Sequence, residues 1–239
     1  MVKEKLAENK QYQDKFRGCM IGGAAGDALG TSVEFWSEQE IFGKYKDGIQ
    51  SYEMDFYSGL AEISDDTQMT MFTANGILFG ETRNRIRSIC EKAENYIYEA
   101  YLKDMLAIMD KAVELSKNEK TDVENIHELG EGWVAEEAFA IALYCSLRYQ
   151  NDFSKAIIAA VNHKGDSDST GAIAGNIAGA FTGYEQMEDK WKQNLELKKV
   201  ILELADDLCD DCQMNKGNGY TDEVWLAKYG YMVEGMTNA

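Results

Sequence analysis

Glycine sets the strongest constraint on how this chain folds. Gly18, Gly22, Gly26 and Gly30 recur every four residues, and so do Gly171, Gly175, Gly179 and Gly183. On an α-helix that spacing lines the glycines up as a nearly straight ridge without side chains. A glycine inside a helix costs about 1 kcal/mol relative to alanine, so a repeated pattern of them needs a compensating gain. Close backbone approach supplies it, as in small-xxx-small packing. The two ridges therefore lie against each other or against a common third helix. Gly18, Gly30 and Gly171 also suit caps or turns; the inner positions do not.

The rest of the chain agrees with a helical fold. It contains no proline, strand-type alternation is scarce, and helical periodicity recurs. Helices are predicted over about 11–30, 64–80, 84–117, 131–149, 152–162, 169–184, 191–212 and 222–230. Trp133 to Leu143 repeats apolar residues at three- and four-residue spacing and reads as a core helix. Residues 31–63 mix glycine, aromatic and charged residues and read as a long loop, a feature that is often functional in a compact domain. No linker divides the chain, so residues 1–239 are expected to form a single all-α domain.

Composition narrows the function classes. The 239 residues are 45% hydrophobic, ample for a buried core. Acids outnumber bases 42 to 24, for a net charge of −18, which disfavours nucleic acid and anionic membranes as partners because binding to phosphates runs on Lys and Arg. Met1-Val2-Lys3-Glu4-Lys5 has no apolar stretch behind it of the kind a leader needs, and no run is long enough to span a bilayer. A soluble cytoplasmic protein is expected. Cys19, Cys90, Cys145, Cys209 and Cys212 are odd in number and scattered, which argues against a disulfide framework. Cys209 and Cys212 form a CxxC, but no second pair completes a zinc site.

Two acidic clusters carry the chemistry. Ser64-Asp65-Asp66-Thr67 opens one predicted helix and Asp166-Ser167-Asp168-Ser169 opens another. Asp27 and Glu34 lie near the end of the first glycine helix. Taken singly, each cluster is explained by helix capping and the helix dipole. Taken together, they place paired carboxylates beside a hydroxyl at two helix starts, and adjacent acids repel unless a positive charge lies between them. Carboxylate and hydroxyl oxygens suit hard divalent cations such as Mg²⁺ and Mn²⁺. With Glu34 the clusters hold enough oxygens for two ions, which could orient a substrate and activate water.

Competing motifs fail. Asp166 to Gly171 matches the first half of an EF-hand loop, but position twelve is Ile177 where a bidentate glutamate is required. Gly22-Gly23-Ala24-Ala25-Gly26 is neither GxGxxG nor a P-loop. His127 and His163 are too few and too far apart for a histidine-rich zinc site. His163 precedes the second cluster, where it could favour a helix C-terminus or orient the acidic loop. No GxSxG elbow is present.

Three blocks, taken together and in this order, resemble the ADP-ribosylglycohydrolase family: Arg17 to Gly30, Ser64 to Met69, and His163 to Asn176. The piece from Gly130 to Ala142 resembles the helix that usually precedes the last block. The resemblance implies a compact, orthogonal all-α bundle with two Mg²⁺ or Mn²⁺ ions. It implies Ser64, Asp65, Asp66, Asp166, Asp168 and Ser169 as metal ligands, Glu34, Asp65 and Asp168 as catalytic residues, and Asp27, Glu34 and Gly165 at the substrate. The implied reaction is hydrolysis of the glycosidic bond that links ADP-ribose to an acceptor, either an ADP-ribosylated protein or an ADP-ribose-like small molecule. This chain departs from the family in one interval. Between residues 80 and 130 it lacks the usual glycine-rich stretch leading into Met-Arg and the later histidine-containing helix start, and it carries charged helices instead. The substrate side therefore looks shortened beside an intact metal side.

Overall fold

The structure is a computed structural model that describes the backbone of residues 2–78 and 99–209 and the side chains of residues 9–78 and 103–209. The helix predicted over 222–230, the first half of the one over 84–117, Cys90 and Cys212 lie outside the described residues. In chain order the helices are α1 (Val2–Gly30), α2 (Glu38–Lys44), α3 (Asp65–Leu78), α4 (Glu99–Leu115), α5 (Asp122–Leu129), α6 (Ala135–Arg148), α7 (Phe153–Val161), α8 (Ser167–Thr182), α9 (Asp189–Lys192) and α10 (Lys198–Cys209). The only strand-like pairing among the described residues is an isolated bridge between Ala61 and Leu195. The all-α class expected from the sequence is what the structure has.

The two glycine ridges meet each other directly. A Cβ added at Gly18, Gly22, Gly26 or Gly30 would run into the carbonyl oxygen of Gly179, Gly175, Gly171 or Ser167, respectively. This descending order makes α1 and α8 antiparallel, main chain against main chain. Such closeness brings Cα–H groups onto facing carbonyls and gathers dispersion along the whole seam, which offsets the poor helix propensity of glycine. Gly183 is the exception. It sits at φ 84° and caps α8, its N–H donating to the Gly179 carbonyl.

Two apolar clusters flank this pair. One joins Ile21, Leu29 and Val33 to Ile157, Trp191, Ile201 and Leu204. The other joins Ile126, Ile141 and Tyr144 to Ala160 and Ala174. Helix α8 touches both, since its glycine edge faces α1 while Ala174 faces the second cluster. Arg17 clamps α1 to α10 through two bonds to Asp206, at 2.6 and 2.7 Å. No described helix is long and apolar enough to cross a membrane.

Two helices correct the sequence expectation. The stretch expected as a loop over 31–63 contains α2, and the polar stretch around His127 is α5. Both open with a capping box, in which the hydroxyls of Ser37 and Thr121 accept from the N–H of Glu40 and Glu124 while each glutamate carboxylate accepts back from its cap. This arrangement satisfies two otherwise orphaned donors at each helix start. The first helix also begins earlier than expected, at Val2 rather than near residue 11.

Candidate metal centre

The antiparallel seam fixes where the acidic residues meet. It sets the C-terminal end of α1 beside the N-terminal end of α8. Asp27, in the last turn of α1, is fully buried and reaches across to the start of α3. Its carboxylate accepts from the backbone N–H of Ser64 at 3.0 Å and of Thr67 at 3.1 Å, and from the Thr67 hydroxyl. The Ser64 hydroxyl accepts from the Asp66 N–H at 3.1 Å. Asp27 therefore tethers the Ser64 cluster to the seam, and lies beneath the site rather than at its open face.

At the start of α8, Asp166 is the N-cap and accepts from the Ser169 N–H. Capping thus holds at both clusters, as their local sequences require. It does not account for what happens next. The Ser169 hydroxyl donates to Asp66 Oδ2 at 2.9 Å, joining clusters 103 residues apart. Oxygens of Asp27, Asp66 and Asp168 lie within 4.8 Å of one another, and so do oxygens of Glu34, Asp166 and Asp168. Asp168 belongs to both groups. Asp65 is exposed at the edge, outside both groups but close enough for its charge to bear on Glu34 and Asp66.

The electrostatics show charge without compensation. Burial first, and then the Asp166 side chain and the charges of Glu34, Asp166 and Asp66, push the Asp168 carboxyl up to about 8. Glu34 is raised by burial and by Asp166, with some relief from its hydrogen bond to Asp168. Asp66 is raised by burial, partly offset by the Ser169 hydroxyl. Among the described residues no lysine or arginine pairs with any of these five acids. The N-terminal dipoles of α3 and α8 point at the cluster and lessen the repulsion, without supplying a full charge. An all-oxygen donor set with excess negative charge fits hard divalent cations, and the sharing of Asp168 fits two neighbouring ones.

The loop before α8 is held by residues that the sequence signalled weakly. His163 is fully buried, with Nδ1 2.9 Å from the Lys164 carbonyl oxygen and Nε2 3.0 Å from the Thr170 hydroxyl. Burial lowers its pKa from the ordinary value, and its two ring contacts tie the acidic loop to the start of α8. Gly165 takes φ 133° and packs its backbone on the Glu131 carbonyl, which accepts from the Asp166 N–H at 2.9 Å. Any contact of Gly165 with a substrate would have to come through its main chain. The Glu131 segment is braced in turn, as the Glu137 carboxylate accepts from the N–H groups of Glu131 and Gly132.

On the other side, the turn after α1 brings in Glu34. Its N–H bonds the Gly30 carbonyl at 2.9 Å, and the neighbouring Val33 is fully buried. Phe35 then sits at φ 65°, a left-handed conformation that costs about 1–2 kcal/mol for a residue with a Cβ. Its ring is 74% exposed and stacks on Trp133, centroids 5.5 Å apart and planes 18° apart. Such a pair contributes about 0.5–1.5 kcal/mol. Nothing local marks a left-handed phenylalanine, and Trp133, expected to open the core helix that runs to Leu143, instead lies before α6 and is 47% exposed.

Comparison with known proteins accords with this geometry. The sequence pattern of the ADP-ribosylglycohydrolase family matches residues 8–84 and 78–218. ADP-ribosylhydrolase ARH3 of Homo sapiens is 31% identical over 109 residues, 41% of this chain and 28% of the human protein. ADP-ribosyl-[dinitrogen reductase] glycohydrolase of Rhodospirillum rubrum is 41% identical over 46 residues, 19% of this chain and 16% of the relative. The matches thus span less than a third of the length of those relatives. A solved structure described as an ADP-ribosylglycohydrolase-related protein complex superposes with a TM-score of 0.53 at 20% identity, covering 85% of this chain and 99% of the other. That likeness extends the shared fold over most of the described helices. The chain belongs to the ADP-ribosylglycohydrolase family.

Proposed function

We propose that this protein is a metal-dependent ADP-ribosylhydrolase that cleaves the glycosidic bond between ADP-ribose and an acceptor, a protein side chain or a small molecule. The convergence of Asp27, Glu34, Asp66, Asp166 and Asp168 without a paired cation carries this reading. Asp66 and Asp168, backed by Asp27, would hold one ion, and Asp166 and Asp168 with Glu34 the other. The hydroxyls of Ser64 and Ser169 and the exposed Asp65 complete the donor set. When bound, Mg²⁺ or Mn²⁺ would supply Lewis-acid charge that orients ribose hydroxyls and makes water more acidic.

The remaining work falls to the chain. The bond from the anomeric carbon to the acceptor breaks, a water oxygen bonds to that carbon, and a water proton ends on the departing acceptor. Glu34 is half-buried and raised from its ordinary value by burial and by Asp166, a direction that suits a group that takes a proton from water and passes it on. The surrounding carboxylates favour the positive charge of an oxocarbenium-like transition state. A second reading keeps the site and changes the substrate to another ribosyl or nucleotide-like molecule. It is favoured by the interval from Arg83 to Lys120, which contains no glycine where family members carry the glycine-rich stretch. The test incubates the chain with arginine-linked and serine-linked ADP-ribose, with Mn²⁺ or with a chelator. Release of ADP-ribose that needs Mn²⁺ and disappears in Asp168→Ala is the expected result. Stoichiometric Mn²⁺ binding without release moves the conclusion to the second reading, and release indifferent to metal refutes the first.

A further inference from the structure

Apart from the hydrogen bond between Glu34 and Asp168, the acids at this centre repel one another, so the turn that carries Glu34 decides how it is held against Asp166 and Asp168. That turn is fixed before Glu34 by the buried Val33 and the bond to Gly30. Beyond Phe35 it is fixed by Trp36, whose N–H donates to the Val33 carbonyl at 3.0 Å and whose ring packs on the core, which leaves Phe35 as the link with no core contact of its own among the described residues. Beyond Glu34 the chain runs into Phe35, which is strained, largely exposed and in ring contact with Trp133. Trp133 is half exposed itself. Its indole N–H donates to Glu131 Oε2 at 3.1 Å, Lys164 pairs with the other carboxylate oxygen of Glu131 at 2.8 Å, and the Glu131 carbonyl receives the Asp166 N–H. The ring stack is thus a bridge between the turn bearing Glu34 and the segment bearing Asp166. A bulky residue stays in a left-handed conformation only where its surroundings hold it there. Among the described residues, the aromatic contact recorded for the Phe35 ring is the one with Trp133.

We propose that Phe35 and Trp133 are positioning residues, a stacked latch that holds the Glu34 carboxylate at the acidic centre. The stacking gain and the backbone strain are of similar size, so the latch is close to balance. Removing one ring lets residue 35 relax to negative φ and carries Glu34 away from Asp166 and Asp168. The effect on catalysis rests on the hydrolytic role proposed above for Glu34; the effect on geometry does not.

The test uses the full chain and four variants, Trp133→Ala, Trp133→Phe, Glu34→Gln and the double Trp133→Ala/Glu34→Gln. In crystals of Trp133→Ala, residue 35 is expected at negative φ with the Glu34 carboxylate outside the group it shares with Asp166 and Asp168, while Trp133→Phe keeps both in place. With arginine-linked ADP-ribose and Mn²⁺, Trp133→Ala is expected to lower kcat roughly tenfold at little change in KM, as loss of an aromatic pair at the top of its range would do to the competent population. Trp133→Phe restores the rate, and the double variant is no slower than Glu34→Gln. Crystals of Trp133→Ala with Phe35 still near φ 65° and Glu34 unmoved overturn the latch. Displacement of Glu34 in those crystals, together with wild-type turnover by Glu34→Gln, upholds the latch and refutes the catalytic role on which the rate effect rests.

Discussion

Replacing Gly30 with alanine tests whether the helix seam governs the site. A Cβ at Gly30 would lie 2.6 Å from the Asp168 Cα, and it would also strike the Ser167 carbonyl. Ordinary contact begins at 3.4 Å, so the backbones must part by about 0.8 Å or more even where the clash is mildest. Overpacking of this kind typically costs about 1–3 kcal/mol, and a main-chain obstacle has no rotamer by which to yield. Alanine returns at most about 1 kcal/mol through its helix propensity. The net expectation is a loss of about 1–2 kcal/mol, or roughly 2–8 °C in Tm for a chain of this length. Because the displaced atom is the Cα of Asp168, Mn²⁺ affinity measured by titration calorimetry should fall by about tenfold as well. Gly43, in α2, is the control. Nothing lies within 4 Å of its added Cβ, so Gly43→Ala should leave Mn²⁺ binding alone and raise stability by up to about 1 kcal/mol. If Gly30→Ala melts at or above the wild-type temperature and binds Mn²⁺ normally, the seam does not set the site.

Three further outcomes follow from the same geometry. Asp168, Glu34 and Asp66 are raised on folding, so without metal their contribution to stability is present below the ordinary carboxylate range and lost as pH rises through the folded values, for Asp168 up to about 8; Mn²⁺ should therefore raise Tm more at pH 8 than at pH 5 in a thermal melt, and equal increments would contradict the electrostatic account. Asp27→Asn should lower stability by about 1–3 kcal/mol in urea unfolding, because the buried amide can no longer accept from Ser64 and Thr67 through two oxygens, and an unchanged midpoint would show that the tether is dispensable. Phe35→Ala should be at least as stable as Phe35→Gly in urea unfolding, since without its ring residue 35 leaves the left-handed conformation that favours glycine; an advantage of about 1 kcal/mol for glycine would mean that the turn keeps its positive φ without the stack.

The parts of this structure that could be read from sequence are those written in regular spacing or local composition. The glycine ridges predicted a close helix pair because period four has one meaning on a helix, and α1 and α8 meet along it. The acidic clusters at Ser64 and Asp166 could be read as caps from their immediate neighbours, and both are. Matched chemistry together with the paired glycine ridges predicts that they meet, and the structure brings Asp66, Asp166, Asp168, Glu34 and Asp27 together, with Asp65 left at the edge. Helices α2 and α5 escape periodicity although Ser37-x-x-Glu40 and Thr121-x-x-Glu124 announce them, because short helices carry too few turns for a repeat to register. The tether from Asp27 to Thr67 and the stack of Phe35 on Trp133 had no local signal at all. They join residues whose separation along the chain carries no pattern, and only the fold sets them side by side.

The seam also orders events during folding. Glycines near residue 22 must find glycines near residue 175 before either helix gains anything from its missing side chains, and closing so long a loop is entropically costly and slow. Until then the two acidic clusters are separate, each content as a cap. As the seam zips, they are driven together against their own repulsion. A divalent ion held as proposed would bind the closed form and not the open one, and so would draw the chain toward completion by mass action. On that proposal the ion would act as a check on assembly, so that the last step in making the bundle would also be the first at which it could bind a metal.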